Sequence, residues 1–99
     1  MTLNVIQGDD FFYYFTFEED DIKSADFCIV SGNPCTIPLT KTDNPNIWEL
    51  KIAKDTTKDM YVGDCRCYTK VEYNNTMVKI FTEVNKLRVN YKYNKESEN

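Results

Sequence analysis

Residues 5–20 read VIQGDDFFYYFTFEED, and their reading decides the fold. Six of the seven positions from Phe11 to Phe17 are aromatic, and four acids, Glu18 to Asp21, follow directly. Side chains alternate between the two faces of a strand, so Phe11, Tyr13, Phe15 and Phe17 share one face. Asp10, Phe12, Tyr14 and Thr16 share the other. A strand covered on one side needs apolar residues only at every second position. This one is apolar or aromatic on both, so the odd residues are expected to build a core and the even ones to meet a neighbour. The Gly and Asp of QGDD supply a turn before it, and the acids end it.

Working outward, strand follows strand with almost no helix. Leu3 and Val5 alternate with Thr2 and Asn4. DFCIV (residues 26–30) is short and apolar, closed by the turn signal SGNP. CTIPL (35–39) is weaker, because Pro38 places it at an edge or in an irregular extended segment. In IWELKI (47–52), Trp48, Leu50 and Ile52 point inward and Ile47, Glu49 and Lys51 outward. AKDTTKDM (53–60) is the one candidate helix, two turns at most. Residues 63–73 form the longest alternation, with Cys65, Cys67, Thr69, Val71 and Tyr73 on one face and Tyr68 on the other. Asn74 and Asn75 can take positive φ and are expected to make a tight hairpin into TMVKIFTEV. KLRVNY closes the sheet with Leu87, Val89 and Tyr91 inward. About seven short strands separated by turn signals predict an all-β fold. The expected form is an antiparallel, immunoglobulin-like β-sandwich with at most one short helical turn, a small closed barrel being the alternative. Residues 1–93 are expected to form one domain, and 94–99 a frayed polar tail.

With 41% hydrophobic and 14% aromatic residues in 99 positions, the chain has enough large side chains for one core and is not a disordered segment. The formal charge of −4 is spread along the sequence without a basic stripe, so nucleic acid is not expected as a partner. No segment has the length or apolarity of a membrane span, and the first residues lack the pattern of a signal peptide. Synthesis in a reducing cytoplasm is therefore expected, with the four cysteines as thiols.

The absence of histidine removes His-based triads, Cys–His dyads and His-containing zinc sites. Cys28, Cys35, Cys65 and Cys67 have C-x6-C and C-x-C spacings, which do not match zinc knuckles. They are expected as small buried hydrophobes. Glu18 to Asp21, even with Asp9 and Asp10, lack the loop pattern of a calcium site and are expected as a solvated turn. No catalytic residue, cofactor or metal is expected, and the chain is not expected to be an enzyme. Trp48 belongs to the core by its register. Phe12, Tyr14 and Tyr68 are the candidates for an exposed, interacting aromatic surface.

The order of these features resembles the small immunoglobulin-like module of bacteriophage virion proteins, including the N-terminal domain of baseplate upper proteins and tail or head accessory modules. The residues carrying the resemblance are Gln7, Gly8, Asp9 and Phe11, then Thr57, Tyr61 and Gly63, then Leu87 and Val89. Two positions depart from the pattern: Cys65 stands where an aromatic often follows, and Asn85 where a glycine usually precedes the last strand. A long C-terminal extension like that of baseplate upper proteins is not expected here. The resemblance implies a non-enzymatic structural or accessory protein of the virion: a head decoration, a head-fibre or a tail or baseplate adaptor. Such a protein would form a homo-oligomer and dock on another virion protein. The alternatives are a module binding glycans or host-surface ligands, and an intracellular bacterial β-sandwich.

Overall fold

The computed structural model describes residues 1–92, so the tail expected over 94–99 lies outside the described residues. Nine strands and one helical turn succeed one another: β1 (Thr2–Ile6), β2 (Phe11–Thr16), β3 (Ile22–Ile29), β4 (Cys35–Pro38), β5 (Thr40–Lys41), β6 (Ile47–Ile52), α1 (Lys54–Thr57), β7 (Gly63–Tyr73), β8 (Val78–Phe81) and β9 (Lys86–Asn90). They make two sheets. The larger has the order β1-β9-β7-β3-β4 with β8 also paired to β7, and the smaller has the order β2-β6-β5. The expected two-layer all-β fold is present, with nine strands rather than about seven. All pairings are antiparallel except that of β1 with β9, which is parallel.

The alternating patterns explain which side of each sheet faces in. Trp48, Leu50 and Ile52 are buried, as are Cys65, Cys67, Thr69, Val71 and Tyr73. Phe15 and Phe17 are buried, and Phe11 and Tyr13 pack half-buried against the same core. Phe15 bridges the layers: its ring centroid lies 6.2 Å from that of Phe27 on β3, and Phe17 reaches Phe81 on β8 at 5.4 Å. Such large side chains each contribute about 1.5–3 kcal/mol when fully buried. Two buried polar atoms, Trp48 Nε1 and Thr69 Oγ1, find no partner among the described residues. They offset part of that gain, at about 1–3 kcal/mol each.

The long strand β7 has two successive partners on one side. Its end pairs with β8 as far as Thr69↔Phe81, and its start pairs with β9 from Arg66↔Lys86. Cys67 and Tyr68 thus face the four residues 82–85, so the returning chain carries two residues in excess and bulges. The Cys67 amide still reaches across to the Asn85 carbonyl at 3.2 Å.

Residues singled out for the resemblance form a clasp between the first turn and α1. Gly8, at φ +89°, turns its amide to Thr57 Oγ1 at 3.0 Å, and that hydroxyl donates to the Asp9 carbonyl at 2.8 Å. Gln7 Nε2 donates to the Met60 carbonyl at 2.8 Å. Thr57 is fully buried for this reason. Tyr61 is held by its backbone alone, donating to Asn33 Oδ1 at 2.8 Å while its ring stays in solvent.

Two local expectations are corrected. Tyr91 is 75% exposed, because β9 ends at Asn90 and nothing carries the alternation one residue further. In the hairpin after β7, Thr76 takes the positive φ of 70°, not Asn74 or Asn75. Asn75 instead accepts the Met77 amide through its side chain at 3.0 Å, closing the turn from within. In β3, Phe27, Cys28 and Ile29 are all buried, in keeping with the short apolar strand and the buried Cys28 expected there. Cys28 sits opposite Tyr68 and Thr36 on the outer face and is covered there.

Candidate docking site

The strand β2 lies at the end of the three-stranded sheet, with β6 on one side and no strand on the other among the described residues. The Phe17 amide donates to Asn46 at 2.8 Å, on the β6 side, which fixes the parity of the strand before it. Phe11, Tyr13 and Phe15 therefore turn their backbone groups to β6, and Phe12, Tyr14 and Thr16 turn theirs outward. These three N–H and three C=O groups have no partner among the described residues. The four remaining edges differ from this one. The β4 edge carries Pro38, β5 has only two residues and ends in Lys41, β8 carries Lys79, and β1 sends polar Thr2 and Asn4 out beside Ile6. Proline, charge and shortness are the usual means of blunting an edge; β4, β5 and β8 each use one, whereas β2 and the polar-faced β1 use none.

Phe12 is 50% and Tyr14 54% exposed on the outer face of this sheet. Their cross-strand neighbours on β6 are Lys51 and Glu49. The Tyr14 hydroxyl donates to Glu49 Oε2 at 2.9 Å, and that carboxylate, through the hydrogen bond first and its charge second, raises the Tyr14 pKa. The Lys51 ammonium sits 5.7 Å from the Phe12 ring centroid. Both rings are thus held in place on their own sheet while half of each remains accessible.

Tyr68 is not part of this surface. It lies on the outer face of the other sheet, half-buried, opposite Cys28. The neighbouring Cys28 thiol raises the Tyr68 pKa. On that face β8 presents Val78 and Ile80, 47% and 54% exposed, opposite Glu72 and Lys70. Sequence reasoning passed over these two, although the alternation of Val78 and Ile80 with Lys79 and Phe81 carries the signal.

Under the open edge of β2 lies a cavity of about 300 Å³ between the two layers. Tyr13, Phe15 and Phe17 wall it from the β2 side and Phe81 from the β8 side. Three acids, Glu18, Glu19 and Glu83, line it as well, together with Lys79 and Met1, whose α-ammonium donates to the Glu83 carbonyl at 2.8 Å. Glu19 is bonded to Lys79 at 3.0 Å and accepts from the Tyr73 hydroxyl at 3.2 Å, and the Lys79 contact holds its carboxyl below the usual range. Glu18 and Glu83 have no ion-pair partner among the described residues.

The four cysteines are free thiols, Cys65 and Cys67 on the core face. Burial pushes the Cys67 thiol up to about 11, and burial raises Cys35 as well, in both cases with help from Cys65. Among the described residues no three Cys, Asp or Glu side chains are placed to hold a metal ion. No helix among them is long and apolar enough to cross a membrane. Compared with protein-family models, curated proteins and solved structures, the chain matches none.

Proposed function

We propose that this protein is a non-enzymatic, immunoglobulin-like structural or accessory module that works by docking on other protein surfaces. The setting we propose is a bacteriophage virion, as a head decoration, head-fibre or tail or baseplate adaptor. The observation that carries the docking reading is the strand β2: both of its faces are aromatic, its inward face completes the core, and its outward Phe12 and Tyr14 stay half-exposed at a sheet end. A lone exposed aromatic needs no explanation, but two fixed side by side on an open strand form a surface suited to a partner. The virion setting rests on the resemblance of Gln7 to Asp9, Thr57, Tyr61, Gly63, Leu87 and Val89 to the phage module. Thr57 and the Gln7–Asp9 turn serve the fold through the clasp described above, so they support the kind of module rather than a binding role.

The mechanism is surface complementarity. Phe12 and Tyr14 dock against copies of the chain or against an adjoining virion protein, and Tyr68, with Val78 and Ile80, offers a second surface on the opposite face. Light scattering after gel filtration, over a range of protein concentrations, tests the self-association. A closed oligomer of constant mass is the expected result. A monomer at every concentration overturns homo-oligomer formation and leaves docking onto another protein.

A further inference from the structure

We infer that the open edge of β2 takes an extended segment of a different protein as an added strand, and that this segment is mainly apolar at its centre, with an Arg or Lys directed at the cavity, and basic at its ends. The inference rests on the docking reading above and gives the partner its chemistry.

Three features combine here. The first is the row of outward N–H and C=O groups of Phe12, Tyr14 and Thr16, which matches what a strand needs in order to add to a sheet. The second is the charge at the two ends of this row. Asp9 and Asp10 precede β2, and Glu18 to Asp21 follow it, while β2 itself carries no charge. The third is the cavity. Side chains of an added strand alternate as those of β2 do, so every second one points to the core side, beside Tyr13, Phe15 and Phe17, over the cavity they wall. Its aromatic walls suit the methylenes of an Arg or Lys side chain, and Glu18 and Glu83 receive the cationic end.

The same charges select against a second copy at this edge. Antiparallel pairing about Tyr14 would set Asp10 of one copy opposite Glu18 of the other, and parallel pairing would set each acid against its own counterpart. Like charges directly opposite destabilise a strand pair. Lys92 compensates Asp9 at 2.7 Å and Lys79 compensates Glu19, but Asp10 and Glu18 meet no basic side chain among the described residues. Copies can still associate through the outer faces, where no acid row confronts another.

The test uses the full chain and three pools of decapeptides whose six central residues are drawn from Val, Thr, Leu and Arg, with ends of Lys, Gln or Glu. Binding is followed by fluorescence anisotropy, and amide exchange is followed by NMR. The Lys-ended pool is expected to bind about tenfold tighter than the Glu-ended pool at low salt, the gap closing as salt rises. Exchange at the amides of Phe12, Tyr14 and Thr16 should slow in its presence. Methylating alternate backbone nitrogens of a selected peptide should abolish binding without touching its charge. Thr16→Pro, which removes one outward N–H and leaves the β6 side intact, should weaken binding while the unfolding midpoint holds. Equal binding of the Lys and Glu pools, or no slowing at these three amides, overturns the inference. Slowing at the same amides in the concentrated protein alone would identify a second copy as the occupant and overturn it too. If the peptides fail while Ser at positions 12 and 14 still breaks assembly, strand addition falls and the docking reading stands. If both fail, both fall.

Discussion

Replacing Phe12 and Tyr14 together by Ser separates what these rings do for the fold from what they do for a partner. Each residue is half-exposed, at 50% and 54%, so about half of each ring remains to be covered by docking. Full burial of such a side chain is worth about 1.5–3 kcal/mol, so the exposed halves together represent roughly 1.5–3 kcal/mol of association. That corresponds to a roughly 10- to 100-fold weaker association. The halves already buried against β6 contribute a similar amount to the fold, and the solvent-exposed Tyr14–Glu49 hydrogen bond adds about 1 kcal/mol at most. A domain with about 5–15 kcal/mol of stability tolerates that loss and stays folded. Urea unfolding followed by Trp48 fluorescence reads the first quantity, and the concentration dependence of light-scattering mass reads the second. The expected variant unfolds cooperatively at lower urea and associates far more weakly. Unchanged association refutes the role given to the two rings. A loss of all cooperative unfolding refutes the claim that they are peripheral to the core.

Three further outcomes are expected. Gly32→Ala should destabilise by about 1–3 kcal/mol in urea, since φ is +71° and a Cβ would sit 2.8 Å from Cys65 Sγ; adding Cys65→Ala should restore the contact part only. Lys79 lowers the pKa of Glu19 from 4.5, and Arg88 lowers that of Asp64 from 3.8, so the stability they contribute is present above those values and is lost as pH falls through the lower folded ones. Urea midpoints measured against pH should drop on the acid side, less so in Glu19→Gln and Asp64→Asn. With its pKa pushed up to about 11, the buried Cys67 should resist a thiol reagent at neutral pH until urea unfolds the chain, whereas half-buried Cys35 should react in the native protein.

The sequence reading succeeded wherever a face was decided by local alternation. Trp48, Leu50 and Ile52, the odd residues of β2, and Cys65 to Tyr73 all lie on the side their spacing assigned. It failed where a distant segment decides. Tyr91 stays in solvent because β9 stops pairing at Asn90, a limit set by β1 rather than by the run KLRVNY. The same logic applies to the candidate site. The outward aromatics Phe12 and Tyr14 were legible from parity, but the open edge beside them is a property of the sheet order, and no local pattern announces it. Tyr68 has the outward parity that its spacing assigned, but that it lies on the other sheet, half-buried beside β3, follows from strand order and not from local pattern.

The parallel pairing of β1 with β9 also bears on synthesis. Leu3 and Val5 meet Leu87 and Val89 in register, and all four are buried. Among the described elements β1 is made before all others and β9 after them, so β1 waits for β9 before either can find its place. Contacts between such remote positions are slow to form, since the loop between them must close first. Until β9 has been made, β1 and the aromatic β2 remain in an unfinished domain, exposed to capture by chaperones or by other chains. Completion of the described fold is accordingly tied to the synthesis of β9, and production at high rate should load the chaperone system in proportion to the number of chains that have not yet reached it.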